Sequence, residues 1–207
     1  VSYSLFFQTY KDRRQVAYVG SNDGMMHAFN VGFYNAGDDP STTTAIEHGW
    51  FTTQKVTAPF VSNTPALGHE LWGFIPQELL PQLKFLTQGS YQHVYYVDQK
   101  PKITDARIFC DSTTLAPTSP NCVTGQGSNS SHPNGWGTIL IGSFRLGGSC
   151  ANCNTGATNL SVTADFNYDG DTVDAGDTRS FRSAYFALDI TDPELAPKLL
   201  WVFTDAN

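Results

Sequence analysis

Basic side chains are scarce in this chain: 12 Lys and Arg stand against 19 Asp and Glu in 207 residues, a formal net charge of −7. No stripe of cations is left to neutralise a phosphate backbone or an anionic membrane surface, which argues against nucleic acid as a partner. Long hydrophobic runs are missing too. No segment approaches the roughly 18 consecutive apolar residues of a spanning helix, and no signal-peptide pattern opens the chain, so the expectation is a soluble piece without a membrane span. His27, His48, His69, His93 and His132 never fall at a His-x-x-x-His spacing, so the paired-imidazole signature of a catalytic zinc is absent. There is no Gly-x-Ser-x-Gly, P-loop or dinucleotide fingerprint either. Nothing here supports nucleophilic catalysis, and the chain is expected not to be an enzyme.

What is present suits a sheet. The chain is 40% hydrophobic and 13% aromatic with only two Met, a composition that favours an all-β fold with short helices over a helix bundle. Val16 to Gly20 and Met25 to Asn30 are apolar runs flanking Ser21-Asn22-Asp23-Gly24, a turn rich in residues that tolerate left-handed backbone, and together they read as a β-hairpin. The pattern recurs: Thr138 to Gly142 repeats the first strand and Ala184 to Ile190 the second. A repeated hairpin is the sequence appearance of a propeller blade.

The second copy is interrupted. Gly20 and Ala28 are 8 apart, whereas Gly142 and Ala187 are 45 apart, so about 37 residues have entered the turn. Chain inserted there projects from a sheet edge, where loops carry function. Further loop-rich insertions are expected at about 31–60 and 110–135, with the third at 149–180, and a strand is possible at Trp50 to Thr53. Gly68 to Ile75 leads into the one expected helical region, where Pro76 and Pro81 each open a brief turn and Leu79, Leu80, Leu83 and Leu86 pack onto the sheet. His93 to Asp98 and Lys102 to Phe109 read as a second hairpin. Leu199 to Phe203 reads as a strand, and both ends look cut from something longer. Lys11, Arg13 and Arg14 read as a solvated turn, His27 as a packed or hydrogen-bonded residue, and Trp72, Trp136 and Trp201 as core.

Two features carry site chemistry. Cys110 with Cys122 and Cys150 with Cys153 form two local pairs in polar loops, a spacing that fits loop-stapling disulfides of an oxidising compartment. Four thiolates on one zinc is the alternative, and it would need the two loops to meet. The second feature is the run Asp165 to Asp177. Asp165, Asn167 and Asp169 alternate and are followed by Gly170, as in the first half of an EF-hand loop. Ca²⁺ takes six to eight hard oxygens, alternation converges side chains on one centre, and glycine at the sixth position permits the sharp bend. Asp171 would supply its backbone carbonyl. The twelfth position is Gly176 rather than Glu, so Asp174 or Asp177 must close the shell. A solvated acidic turn is the alternative, although carboxylates at this density repel one another unless a cation joins them.

These motifs, in order, resemble a known family. Val16 to Asn30, Gly68 to Pro76 with Leu79-Leu80-Pro81, Tyr95 to Asp98, and Ala187 to Pro193 with Pro197 to Trp201 are similar to the C-terminal β-propeller of the PilC/PilY-type tip proteins of bacterial type IV pili. The likeness threads most of residues 14 to 205 and is absent from the three loop insertions. Tyr18 to Gly24 alone is also similar to quinoprotein-dehydrogenase repeats. The resemblance implies that residues 1–207 are a fragment of one β-propeller with quinoprotein-like blades. It implies a secreted, calcium-binding protein at the pilus tip or outer surface of a bacterium, partnered by pilins or minor pilins and a host-cell or surface receptor. Supporting pilus assembly or extension and adhesion would be its role. The family loop closes with Asp at the ninth position, here Val173, so the likeness extends only to Asp165, Asn167 and Asp169. A quinone (PQQ)-dependent dehydrogenase-type propeller and a glycan-binding lectin-like propeller are the competing readings.

Overall fold

A computed structural model of the chain describes residues 2–43, 48–55, 64–87, 89, 95–109, 131–145, 147, 160–163, 169–174, 176–181 and 183–204. The opening hairpin forms as its residues dictate. Strand β1 (Gln15–Gly20) runs antiparallel to β2 (Met26–Ala36), with Gly20 opposite Met26 and Tyr18 opposite Ala28. At the turn Gly24 takes φ +99°, Asp23 Oδ1 accepts from the Met25 N–H, and the Ser21 N–H donates to the Met25 carbonyl. A side chain at Gly24 would be strained in that backbone region. At 11 residues β2 is long enough to serve three partners. Its second half pairs with β3 (Gly49–Thr52), where a strand was expected, and its first half pairs with β4 (Glu70–Phe74) on the side away from β1.

The second sheet has the order β10-β9-β6-β5, an antiparallel meander of β5 (Lys102–Arg107), β6 (Trp136–Ser143), β9 (Ala184–Asp189) and β10 (Lys198–Thr204). The two halves of the interrupted hairpin do meet: β6 pairs with β9, Gly142 opposite Phe186 and Ile141 opposite Ala187. The repeat extends further than two strands. Trp72 of β4 sits opposite Ala28, and Trp201 of β10 sits opposite Ala187. In both sheets the leucine before the tryptophan is left over as a bulge, Leu71 in one and Leu200 in the other. Two residues on, Phe74 faces Met26 and Phe203 faces Tyr185. The motif Leu-Trp-x-Phe is therefore a structural repeat, its register pinned in each copy by one extra residue.

Burial follows the alternation of side chains across a strand. Met26, Leu140, Phe144, Phe186 and Leu188 form the core between the sheets, and Tyr18, Trp72 and Phe74 pack against it. Phe74 and Phe186 meet with ring centroids 5.4 Å apart. On the other face of the second sheet the counterparts stay exposed: Tyr185, Trp201 at 39% and Phe203. Trp201 is thus not core, whereas Trp72 is packed as expected.

Several expectations are corrected. Residues 70–74 are a strand that leads into the helical region, and the 3₁₀ turns there run without a break from Gln77 to Thr87 around Pro81 instead of as two brief turns. Of the four leucines there only Leu79 is fully buried; Leu83 packs against the core, and Leu80 and Leu86 are exposed. Lys102–Arg107 pairs with β6 rather than with the segment before it. Residues 95–98 are not a strand. Tyr96 and Val97 instead plug the core, and the segment is tied to both sheets, through the Val97 N–H to the Ser21 carbonyl and the Gln99 N–H to the Ser143 carbonyl. A second helical element, α1 (Ser2–Tyr10), packs on β6, with Phe6 buried and Tyr3 edge-on to Trp136 at 4.8 Å. Finally, the basic turn is solvated at Lys11 alone, which is exposed. Arg14 is buried, bonded to Glu194 at 2.8 Å and Asn30 at 2.8 Å, and stacked on Phe33. Arg13 donates to the Thr138 hydroxyl and the Thr191 carbonyl.

Candidate functional site

The acidic loop sits at the tip of a small hairpin inserted between β6 and β9. Its base is β7 (Leu160–Thr163) paired with β8 (Thr178–Phe181), closed by the Thr163 and Thr178 hydroxyls 3.2 Å apart. Asp165 and Asn167 lie outside the described residues, as do Cys110, Cys122, Cys150 and Cys153. The described half of the loop is wound by its own carboxylates. Asp169 Oδ1 accepts from the Asp171 N–H, Asp171 Oδ1 from the Val173 N–H, and Asp174 Oδ1 from the Gly176 N–H. Each is the local side-chain-to-backbone bond that makes Asp a turn residue. Gly170 takes φ +100°, the left-handed bend that glycine at the sixth loop position provides.

Asp177 differs from its neighbours. Asp169, Asp171 and Asp174 are exposed, but Asp177 is fully buried immediately before β8. Its Oδ2 accepts from the Asp174 N–H at 3.0 Å, while its Oδ1 has no hydrogen-bond partner among the described residues. A buried carboxylate oxygen without a donor is costly unless a cation neutralises it. Among the described residues no three His, Cys, Asp or Glu side chains gather as a ready metal cage. The donor set fits calcium only if the opening residues of the loop join it, as hard oxygens from Asp165, Asn167 and Asp169 would.

Two histidine clusters escaped the sequence because their partners are distant in the chain. His27 bonds Asp23 Oδ2 through Nε2 at 2.8 Å and Glu70 Oε1 through Nδ1 at 2.7 Å. Partial burial pulls its pKa down, but the two hydrogen bonds and the two negative charges outweigh that, and the net shift is upward. Of the two expected roles for His27, packed or hydrogen-bonded, the structure shows the second, with the turn and β4 stapled together through it. The other cluster is buried: His132 Nε2 meets Asp189 Oδ2 at 3.0 Å under the stacked Phe109 ring. Asp189 also accepts from the Thr191 N–H and hydroxyl. Burial pushes the Asp189 carboxyl up, but these donors prevail and hold it below the ordinary value.

Among the described residues no helix is long and apolar enough to cross a membrane. No family model matches the chain, and no solved structure matches it. Curated relatives do. The chain is 25% identical over 206 residues, its whole length, to a Xylella fastidiosa protein named type IV pilus biogenesis factor PilY1 homolog. It is 25% identical over 203 residues, 97% of its length, to the type IV pilus biogenesis factor PilY1 of Pseudomonas aeruginosa. In another strain of that species the identity is 29% over 146 residues, 69% of the chain. The chain spans about 9% of the length of the first two relatives and 8% of the third. It is therefore similar, from end to end, to one short stretch of much longer proteins that carry the name type IV pilus biogenesis factor PilY1.

Proposed function

We propose that this chain is part of a calcium-binding β-propeller in a type IV pilus biogenesis protein at the outer surface or pilus tip, where it supports pilus assembly or extension and adhesion. The observation that carries the pilus assignment is the similarity over 97–100% of the chain to proteins of that one name. Partners would be pilins or minor pilins and a surface receptor. The role is structural rather than catalytic.

The propeller is supported by the repeated meander. The face of the first sheet that carries Trp72 and Phe74 is buried on the second sheet, and the equivalent face of the second sheet, with Trp201 and Phe203, is exposed. One more copy of the same sheet would cover it in the same way, which is how blades succeed one another.

Calcium would be held by Asp165, Asn167 and Asp169, by the backbone carbonyl of Asp171, and by Asp177, whose buried Oδ1 lacks a donor. Asp174 is the weaker closing ligand, because its Oδ1 is engaged by the Gly176 N–H at 2.6 Å. Bound calcium would hold the tip of the β7–β8 hairpin in one conformation, and its release would loosen how the propeller braces the fibre against retraction. Titration calorimetry tests the site: Asp169→Ala should abolish calcium binding, and unchanged binding would sink the assignment. Immunogold labelling of intact cells tests the location, with label at pilus tips expected and purely periplasmic label contradicting it. Quinone absorbance retained by the protein after incubation with quinone and calcium, together with dye reduction, would overturn the non-enzymatic role.

A further inference from the structure

The second sheet has four strands in series, but among the described residues the first has no counterpart of β5 beside β1. The side of β1 away from β2 instead borders a cleft of about 410 Å³ between α1, β1 and β5. That volume lies within the range of small-molecule sites. A second lobe of about 240 Å³ reaches the end of β2 and Lys55, and the two lobes share Lys11, Arg13 and Gln15.

The cleft is framed by fixed polar groups. Tyr3 donates to Asp105 Oδ2 at 2.7 Å, Thr138 donates to Asp105 Oδ1 at 2.7 Å, and Arg13 binds Thr138 and lies 5.6 Å from the Tyr10 ring centroid. Such a frame holds the walls in place before any ligand arrives. In the second lobe Tyr34 is exposed, with one side of its ring over Gly49, where a Cβ would run into it, and its edge against Phe51 at 5.6 Å. Lys11, Arg13 and Lys55 line this lobe against the single carboxylate of Asp12, and the two lysines form no ion pair among the described residues. In a chain of net charge −7, two ammonium groups without carboxylate partners beside one groove are a local reversal of sign.

We propose that this two-lobed cleft binds a carboxylated oligosaccharide. The exposed rings of Tyr3 and Tyr34, whose hydroxyls are held by Asp105 and the His48 carbonyl, offer flat apolar faces suited to the C–H face of a sugar ring. Gln15 supplies both a donor and an acceptor for hydroxyls, and the lysines supply point charges for carboxylates. The site is separate from the acidic loop, so its occupancy does not depend on calcium.

The carboxylate can come from a hexuronic acid or a sialic acid, and two probes separate these sources: tetragalacturonate and 3′-sialyllactose. Saturation-transfer NMR and calorimetry on the whole chain should detect at least one of them. Methyl esterification of the bound probe should weaken it at least tenfold. The Lys11→Ala/Lys55→Ala variant should lose about tenfold or more in affinity, and Tyr34→Ala about as much, with the circular dichroism spectrum unchanged. If either substitution perturbs the fold, Lys55→Gln, which removes only the charge, should still weaken binding several-fold. No signal from either probe at about 5 mM, where a Kd of about 1 mM would be visible, overturns the proposal. Binding that ignores both esterification and the lysine substitutions overturns it as well.

Discussion

Replacing Asp177 by Asn should have opposite effects on stability with and without calcium. The carboxylate is fully buried, with Oδ2 bonded to the Asp174 N–H and Oδ1 unbonded. Asn keeps an acceptor for Asp174 and removes the charge. In a chelator the wild-type chain bears the cost of a buried unsatisfied group, on the order of 1–3 kcal/mol. The variant should therefore be the more stable of the two, by about 1–2 kcal/mol once the new amide N–H, itself short of an acceptor, is set against the gain. In calcium at about 100 times Kd the wild type gains about 2.7 kcal/mol from binding. The variant has lost a charged ligand and gains much less, so the order reverses. At about 2–4 °C per kcal/mol for a chain of this size, thermal melts followed by circular dichroism, run in EGTA and in calcium, resolve both differences. A variant that is destabilised equally in both media would refute the reasoning, because Asp177 would then be a structural residue with no part in holding a cation.

Other outcomes follow from buried polar groups elsewhere. Glu194→Ala takes a carboxylate from the fully buried Arg14 side chain; urea denaturation should show a loss of about 3 kcal/mol, larger than for Arg14→Met, because Glu194 is 26% exposed and can turn to water. Gln82 is fully buried with both side-chain amide atoms lacking hydrogen-bond partners among the described residues, so Gln82→Met should raise stability by about 1–3 kcal/mol; the Tyr96 hydroxyl bond survives because it goes to the Gln82 backbone carbonyl. The His27 pKa is raised, so its bonds to Asp23 and Glu70 stabilise the fold fully below the unfolded imidazole value near about 6.5. That contribution is lost as pH climbs through the higher folded value. Melting temperature against pH should lose this downward limb in His27→Gln, and an unchanged profile would remove His27 as its source.

In this sequence, structure set by neighbouring residues is legible and structure set by distant partners is not. The β1–β2 hairpin was legible because its turn residues and its apolar runs agree within 15 residues. The pairing of β6 with β9 across the insertion was legible because the strands repeat the first hairpin. Leu71-Trp72-Gly73-Phe74 and Leu200-Trp201-Val202-Phe203 carry the same repeat, but the prolines just after the first copy argued for helix and hid it. Tyr95, Tyr96 and Val97 have strand propensity, yet tertiary contacts use them as a plug, since Tyr96 and Val97 fill the gap between two sheets. Arg14 looked like part of a solvated run because nothing near it in sequence announces Glu194, 180 residues away. The acidic loop is legible as a turn-forming run of carboxylates, but the burial that sets Asp177 apart from its neighbours belongs to the folded hairpin and cannot be read from spacing.

The bulge at Leu71 and again at Leu200 has a consequence for how such a chain can diversify. Because β10 is registered against β9 by its own extra residue, the alignment of those two strands owes nothing to the connection between β6 and β9. A one-residue slip would turn Trp201 and Phe203 to the opposite side of the sheet, so the bulge acts as a detent. With alignment guarded in this way, lengthening the connection costs little, about 0.6 kcal/mol for each doubling of a flexible loop. The frame therefore behaves as a socket, into which lineages can fit connections of different length and cargo without recutting the sheet.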